Sequence, residues 1–162
     1  MKRIAEFYKI SKENFLAVDG YTESDYEEFS LPKRATAGSA GYDFFAIKDF
    51  TLLPNETITI PTGVRVKIDD GWVLKIFPRS SLGFKFRATL NNTVGIIDSD
   101  YYYSENEGHI FVRITNCGNK EMSVAKGQGF AQGIFVEYGI TYSDDVTTLR
   151  NGGFGSTDKA KK

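Results

Sequence analysis

The sequence predicts an all-β domain, chiefly because apolar residues recur with a period of two. In ETITIPTGVRVKID, isoleucine and valine occupy alternate positions from Ile58 to Ile68, with a break at residues 61–63. The same period recurs in HIFVRIT, residues 109–115. This period places alternate side chains on opposite faces of a strand. Many short strands separated by Gly, Asn, Asp or Pro are typical of a β-sandwich or barrel.

Four other stretches have strand character, and two short stretches near the N-terminus could form helices. The strand candidates are GYDFFAI, GWVLKIF, FRATLNN and GFAQGIFVEY, and the helix candidates are KENFLAVD and ESDYEEFS. A chain of 162 residues is long enough for one ordinary hydrophobic core and too short for two. We therefore expect one β domain.

The composition excludes several classes of function. The formal net charge is −1 without a basic block, which argues against binding of long nucleic acid. No apolar run approaches the roughly 20 residues of a membrane helix. The single histidine, His109, and the single cysteine, Cys117, are too few for a zinc cluster. The start lacks a secretory signal, and one cysteine cannot form an internal disulfide, so we expect a cytoplasmic protein.

The segment NNTVGIIDSDYYYSENEGHI contains the strongest candidate for a catalytic group. Asp98 and Asp100 stand two residues apart, so their side chains point the same way if the chain is extended, and Tyr101 follows directly. Gly95 and Gly108 flank them, which favours a strand pair joined by a loop. The pattern fits a hairpin that holds a base and an aromatic platform. It fits a surface hairpin with solvated acids equally well.

Three further polar positions need partners. Arg79, Ser80 and Ser81 in FPRSSLG could form an anion pocket, or could simply end a strand. Asp43 lies in an aromatic strand, where it requires an arginine, a backbone donor or a metal-bound water. Gln132 shares the parity of apolar neighbours, so either the core backbone or a ligand must satisfy its amide.

The stretch RNGGFGSTD near the C-terminus combines groups that suit a phosphate ligand. It contains an arginine, one aromatic ring, glycines that let backbone amides approach closely, and two hydroxyls. A glycine-rich end is otherwise usually mobile. The chain alone leaves both interpretations open.

Five short motifs taken in order indicate a family. AGYD, PRSS, GIIDSDY, AQ and GGFGST, spread from about Leu31 to Asp158, resemble the five motifs of the homotrimeric deoxyuridine triphosphatases, or dUTPases. The resemblance implies a distorted jelly-roll-like β-barrel that forms a homotrimer. Residues 1–149 would form the β domain, with a variable N-terminal segment at 1–30. Residues 150–162 would form a flexible C-terminal arm that is exchanged between subunits and closes the active site.

The resemblance also implies an activity, which is Mg²⁺-assisted hydrolysis of dUTP to dUMP and pyrophosphate. Asp98 would be the general base that activates water for attack on the α-phosphate. Tyr101 would pack on the deoxyribose and exclude a 2′-hydroxyl. Asn92, with the backbone from Gly95 to Ile97, would recognise uracil.

The remaining roles concern the metal and the phosphates. Asp43 would hold Mg²⁺ through water. Phosphates would be bound by Arg79, Ser80, Ser81 and Gln132. In the arm, Phe154 would stack on uracil, and the groups closing over the phosphates would be Arg150, Gly155, Ser156 and Thr157.

The chain departs from the family pattern at two informative places. Gly129 stands where the fourth motif commonly has arginine, and the run YYSENEGH after Tyr101 is longer than usual.

Two alternative functions stay open. A dCTP deaminase relative would need an additional glutamate, which HIFVRITN does not offer. A catalytically weak regulatory module would use the long loop or residues 1–30 to bind a protein partner.

Overall fold

Strands account for most of the regular structure in residues 1–150, the part of the chain that the computed structural model describes. The mostly-β fold expected from the sequence is confirmed. The twelve strands in this part are β1 Ala5–Lys9, β2 Lys33–Arg34, β3 Tyr42–Phe45, β4 Phe50–Leu52, β5 Thr57–Pro61, β6 Val64–Ile68, β7 Trp72–Pro78, β8 Ala88–Leu90, β9 Gly95–Ile97, β10 Phe111–Asn116, β11 Met122–Val124 and β12 Gly129–Glu137.

The strands pair into four sheets. The largest has the order β2-β3-β12-β7-β9, and a three-stranded sheet has the order β5-β10-β8. Strand β1 pairs with β6, and β11 pairs with β4, in each case antiparallel. Within residues 1–150 these pairings do not close into a barrel.

The period of two in the sequence corresponds to the observed burial. In β6, Val64, Val66 and Ile68 are buried, whereas the residues between them face outward. In and beside β10, Ile110 and Ile114 are fully buried in the same way. Burial of apolar side chains on one face of each sheet is what holds this core together.

Two of the three α-helices, α1 Lys12–Leu16 and α2 Glu23–Glu28, were expected from the sequence. A capping box between Thr22 and Asp25 begins α2, because each residue's side chain accepts from the other's backbone amide. The third helix, α3 Ser80–Phe86, was not expected, because its sequence suggests only a turn. It ends at Arg87, whose left-handed φ of 52° stops the helix.

Residues 1–30 pack against the β domain through an aromatic cluster. Phe15 is fully buried and stacks on Phe29 with ring centroids 5.3 Å apart. A Cβ at Gly63, which has φ +69°, would come within 3.0 Å of both rings. The turn between β5 and β6 therefore needs glycine, for its conformation and for the close approach of these rings.

A buried carboxylate ties α2 to the rest of the chain. Asp25 contacts Lys48 at 2.6 Å and Lys126 at 3.0 Å. Burial alone would raise its pKa, but hydrogen bonds from both lysines and from Thr22 hold the pKa of Asp25 well below its usual range. Asp25 is thus ionised and paired at neutral pH.

His109 serves the fold as a neutral hydrogen-bond acceptor. Its Nε2 accepts from the backbone N–H of Gly63 at 2.9 Å in a buried position. Burial lowers the pKa of His109 to about 4, despite the opposing charge of Glu107.

None of the helices in residues 1–150 has the length and apolar character to cross a bilayer.

His109 makes stability depend on pH in a defined window. The unfolded histidine takes up a proton below about pH 6.5, whereas the folded one does so only near pH 4. Its contribution is therefore complete well above pH 6.5 and falls as the pH drops towards 4. We expect the free energy of unfolding to decrease by about 1.5 kcal/mol more for the wild type than for His109→Gln between pH 6.5 and 5.

Urea unfolding at a fixed protein concentration measures this difference, because glutamine offers an acceptor to Gly63 but does not titrate. Parallel pH profiles for the two proteins would contradict the assignment.

Candidate active site

The predicted base lies at one end of the five-stranded sheet, but not in the predicted hairpin. Asp98 follows β9 and precedes a 3-10 helix, Ser99–Tyr103. Strand β9 pairs with β7, whereas β10 pairs with β5 and β8, so the expected strand pair is wrong. A 3-10 helix forms here instead of a strand, and it buries Tyr101.

Asp98 and Asp100 nevertheless converge, because one arginine binds both. Arg150 donates from Nη2 to Oδ2 of Asp98 at 2.6 Å and from Nε to Oδ1 of Asp100 at 2.8 Å. The two carboxylate side chains are 48% and 49% exposed. Half-exposed ion pairs of this kind are worth only about 0–1 kcal/mol. A ligand can therefore displace Arg150 from the carboxylates at low cost.

Tyr101 forms a fixed wall beside these carboxylates. Its side chain is buried, and its hydroxyl donates to the backbone oxygen of His109 at 2.8 Å. Burial raises the pKa of Tyr101 above its ordinary value, although hydrogen bonding from Asn106 and the charge of Arg150 oppose the shift. The phenol is accordingly neutral at physiological pH. The guanidinium carbon of Arg150 lies 5.8 Å from the ring centroid.

Three residues predicted to bind uracil line one cavity of about 400 Å³. Asn92 is exposed at its edge, whereas the side chain of Ile97 is buried, so Ile97 can offer a ligand only its backbone. A Cβ at Gly95 would lie 3.0 Å from the Cβ of Ile76, which explains the absence of a side chain there. The predicted residues are therefore brought together around an apolar space.

The same cavity includes polar residues that the sequence did not single out. Thr59 and Arg113 lie opposite each other on β5 and β10, and both line it. The alternating pattern of the two strands predicts that both side chains point away from the core. It does not predict the strand pairing that places them beside Asn92.

A second group of predicted residues meets at the other end of β7. Nε of Arg79 lies 3.3 Å from Oδ1 of Asp43, so an arginine satisfies this carboxylate. Gln132 is the direct neighbour of Asp43 in the pairing of β12 with β3, and its amide donates to the Pro78 oxygen at 3.4 Å. Together with Ser80, these side chains border a cavity of about 370 Å³, which Ser81 also lines.

Two glycines leave room for this arrangement. A Cβ at Gly129 would come within 2.8 Å of Nη1 of Arg79, and one at Gly41 would come within 2.7 Å of Oε1 of Gln132. The guanidinium of Arg79 therefore lies against the bare backbone of β12. A side chain at position 129 would require the guanidinium of Arg79 to shift.

Strand β7 separates the two groups of residues. Ile97, directly before Asp98, pairs with Leu74, whereas Arg79 follows the far end of the same strand. Arg79 lies five positions after Leu74, which at about 3.3 Å per residue is a distance of roughly 17 Å. Asp98 and Arg79 of a single chain therefore do not meet.

Some of the predicted site cannot be located. The arm residues Phe154, Gly155, Ser156 and Thr157 lie outside the described residues. Within residues 1–150, no three His, Cys, Asp or Glu side chains form a cluster that could hold a metal ion by themselves.

Comparisons with known proteins agree with this geometry. The family model described as dUTPase matches residues 27–158. A deoxyuridine 5′-triphosphate nucleotidohydrolase of Lactococcus lactis subsp. lactis is 40% identical over 131 residues, which is 79% of this chain and 87% of that protein. One from Buchnera aphidicola subsp. Baizongia pistaciae is 47% identical over 112 residues, covering 67% of this chain and 70% of the relative.

A solved structure extends the likeness to the fold. The crystal structure of dUTPase from Streptococcus mutans superposes with a TM-score of 0.66 at 34% identity, covering 83% of this chain and 97% of that one. The model match includes Asp43, Arg79, Asp98 and Gln132. Since the match spans both ends of β7 and the relatives align over most of their length, the chain belongs to the dUTPase family.

Proposed function

We propose that this chain hydrolyses dUTP to dUMP and pyrophosphate. The observation that carries the proposal is the grouping of a carboxylate, Asp98, with Tyr101 and with the backbone segment Gly95–Ile97 that lines an apolar cavity. This grouping occurs in a chain whose relatives are named for this reaction.

Asp98 acts as the general base in the proposed reaction. Its half-exposed carboxylate takes a proton from the water that attacks the α-phosphorus. No covalent nucleophile is needed, because phosphoryl transfer depends mainly on positioning and on stabilising charge. Arg150 releases the Asp98 of its own chain when the arm passes to a neighbouring subunit and binds the phosphates there, which the weakness of a half-exposed pair allows.

The cavity between β5, β9 and β10 accepts uracil. Asn92 and the backbone of residues 95–97 supply donors and acceptors for the edge of the base, and the confined space excludes the methyl group of thymine. The buried ring of Tyr101 supports the sugar and leaves no room for a 2′-hydroxyl.

The opposite end of β7 binds the triphosphate. Arg79, Ser80, Ser81 and Gln132 offer charge and hydrogen-bond donors around one cavity. Mg²⁺ usually keeps several waters and takes oxygens from substrate phosphates and one or two carboxylates. Asp43 fits this mode as a ligand through water, even without a three-residue cluster in the described chain. When bound, Mg²⁺ neutralises the charge of the triphosphate.

The separation along β7 supports a homotrimer with shared active sites. Because roughly 17 Å separates the level of Leu74 from Arg79, a base from one chain requires phosphate ligands from another. In this proposal residues 1–149 form the β domain, whose sheets are arranged as a distorted jelly-roll-like barrel that the strand pairings leave open. Residues 150–162 are the arm that passes to a neighbouring subunit, where Phe154, Gly155, Ser156 and Thr157 close over the nucleotide.

The cytoplasmic location predicted from the single cysteine is retained in this proposal. We propose dUTP hydrolysis over the regulatory-module and dCTP deaminase alternatives, because the matched relatives are named deoxyuridine 5′-triphosphate nucleotidohydrolases.

A nucleotide panel tests the reaction. Pyrophosphate release with Mg²⁺ should be rapid for dUTP and far slower for UTP, dTTP and dCTP. Asp98→Asn should reduce kcat about 10²- to 10⁴-fold, because the amide cannot accept the proton from water.

Asp100→Asn is the matched control, because it also loses a carboxylate bound by Arg150 but has no base function. Equal turnover of dCTP and dUTP, or equal losses in the two variants, would exclude the proposal.

Mixing two inactive variants tests whether the site is shared. Asp98→Asn and Arg79→Ala fail at opposite ends of β7, so a mixed trimer regains one intact site of three if these residues come from different chains. Random mixing makes about three quarters of the trimers mixed, so the unfractionated pool should regain about one quarter of the wild-type activity and purified mixed trimers about one third.

Co-expression of the two variants with different tags, followed by tandem purification and an activity assay, measures this recovery. No recovery in purified mixed trimers would show that each chain carries its own complete site.

A further inference from the structure

The hydroxyl of Tyr101 is held by the long loop that follows it. Asn106 donates from Nδ2 to the Tyr101 hydroxyl oxygen at 2.9 Å, and the hydroxyl donates in turn to the backbone oxygen of His109 at 2.8 Å. The same Nδ2 lies 3.4 Å from that backbone oxygen. Donor, hydroxyl and carbonyl thus form a closed triangle that fixes both the position and the rotation of the phenol.

The orientation of the Asn106 amide is set by its own backbone. Gly108 donates its N–H to Oδ1 of Asn106 at 3.2 Å. A backbone N–H can only donate, so this contact identifies the oxygen and leaves the NH₂ group facing Tyr101. Asn106 is therefore fixed at one end of its amide and acts on the phenol with the other.

The loop folds closely onto the 3-10 helix, and only glycine fits at its return. Gly108 has φ +70°, and a Cβ there would lie 2.7 Å from the backbone oxygen of Tyr101 and 2.8 Å from the Cα of Tyr102. Backbone hydrogen bonds from Ser104 to Tyr101 and from His109 to Asn106 close the turns between them. A freely solvated loop would not need these close approaches.

Two contacts from outside brace the loop. The guanidinium carbon of Arg65 lies 3.7 Å from the centroid of the Tyr102 ring. Its Nη2 donates to the backbone oxygen of Tyr102 at 2.8 Å. The backbone N–H of Ser11 donates to Glu107 at 2.8 Å. Ser11 precedes the region matched by the family model, so the N-terminal segment of this chain supports a loop that is itself longer than the family pattern.

We propose that Asn106 is a positioning residue that locks the Tyr101 ring and thereby sets the discrimination between deoxyribonucleotides and ribonucleotides. The inference rests on the proposed function, in which Tyr101 packs against the sugar. A ring held at its hydroxyl cannot tilt to admit a 2′-hydroxyl. Releasing the hydroxyl lets the ring tilt, which weakens both the support of deoxyribose and the exclusion of ribose.

Asn106→Ala tests this role through a selectivity ratio. The ratio of kcat/KM for dUTP to kcat/KM for UTP should fall about three- to tenfold, the effect of losing one neutral hydrogen bond. Asn106→Leu should behave similarly, because its side chain has a comparable size but cannot hydrogen-bond to the phenol. Glu105→Gln is the matched control, because Glu105 is exposed in the same loop, and it should leave the ratio unchanged.

A double-mutant cycle with Tyr101→Phe shows whether Asn106 acts through the hydroxyl. In the Tyr101→Phe background the hydroxyl is absent, so adding Asn106→Ala should change the ratio no further. Thermal unfolding of each variant checks that the fold is retained.

The outcomes separate this inference from the proposed function. A wild-type protein that does not turn over dUTP overturns the proposed function itself. A wild type that prefers dUTP, with the same preference in Asn106→Ala and Asn106→Leu, overturns only the role of Asn106. An equal loss of selectivity in both Tyr101 backgrounds does so too.

Discussion

The pairing of β7 between β12 and β9 is the constraint on which the chemistry of this chain depends. Strand β12 brings Gln132 to one end of β7 and, through β3, brings Asp43 there as well. Strand β9 brings Asp98 to the other end. Because backbone hydrogen bonds fix the register, the two groups cannot approach each other within one chain. The residues of the family's ordered motifs therefore fall into two groups, one at each end of β7.

In each group the carboxylates pair with an arginine. Arg79 satisfies Asp43, and Arg150 bridges Asp98 and Asp100. The two carboxylates bound by Arg150 are about half exposed, so these pairs neutralise charge without great stability. Asp43 is more enclosed, and Asp25 is buried between two lysines, where it fastens α2 to the β domain. The carboxylates of the candidate site thus stay open to a ligand to different degrees, whereas Asp25 serves the scaffold.

The regions outside the family pattern also have physical roles. The N-terminal segment fills the space above Gly63 with aromatic rings and reaches the long loop at Glu107. That loop returns through Gly108 to the hydroxyl of Tyr101. Two extensions that are far apart in sequence therefore support the same ring.

The sequence by itself determined the strands with a clear period, from Ile58 to Ile68 and through Ile114, because alternation directly reflects which face is buried. It also identified Asp98, Arg79 and Asp43 through the order of the motifs. The tertiary structure decided which strands pair, so it replaced the expected hairpin after Gly95 with a 3-10 helix and added α3. A register shift between Gly129 and Ala131 likewise turned Gln132 from the apolar face towards the cavity. Local patterns report burial, whereas partners such as Arg150 for Asp98 depend on contacts 52 residues apart.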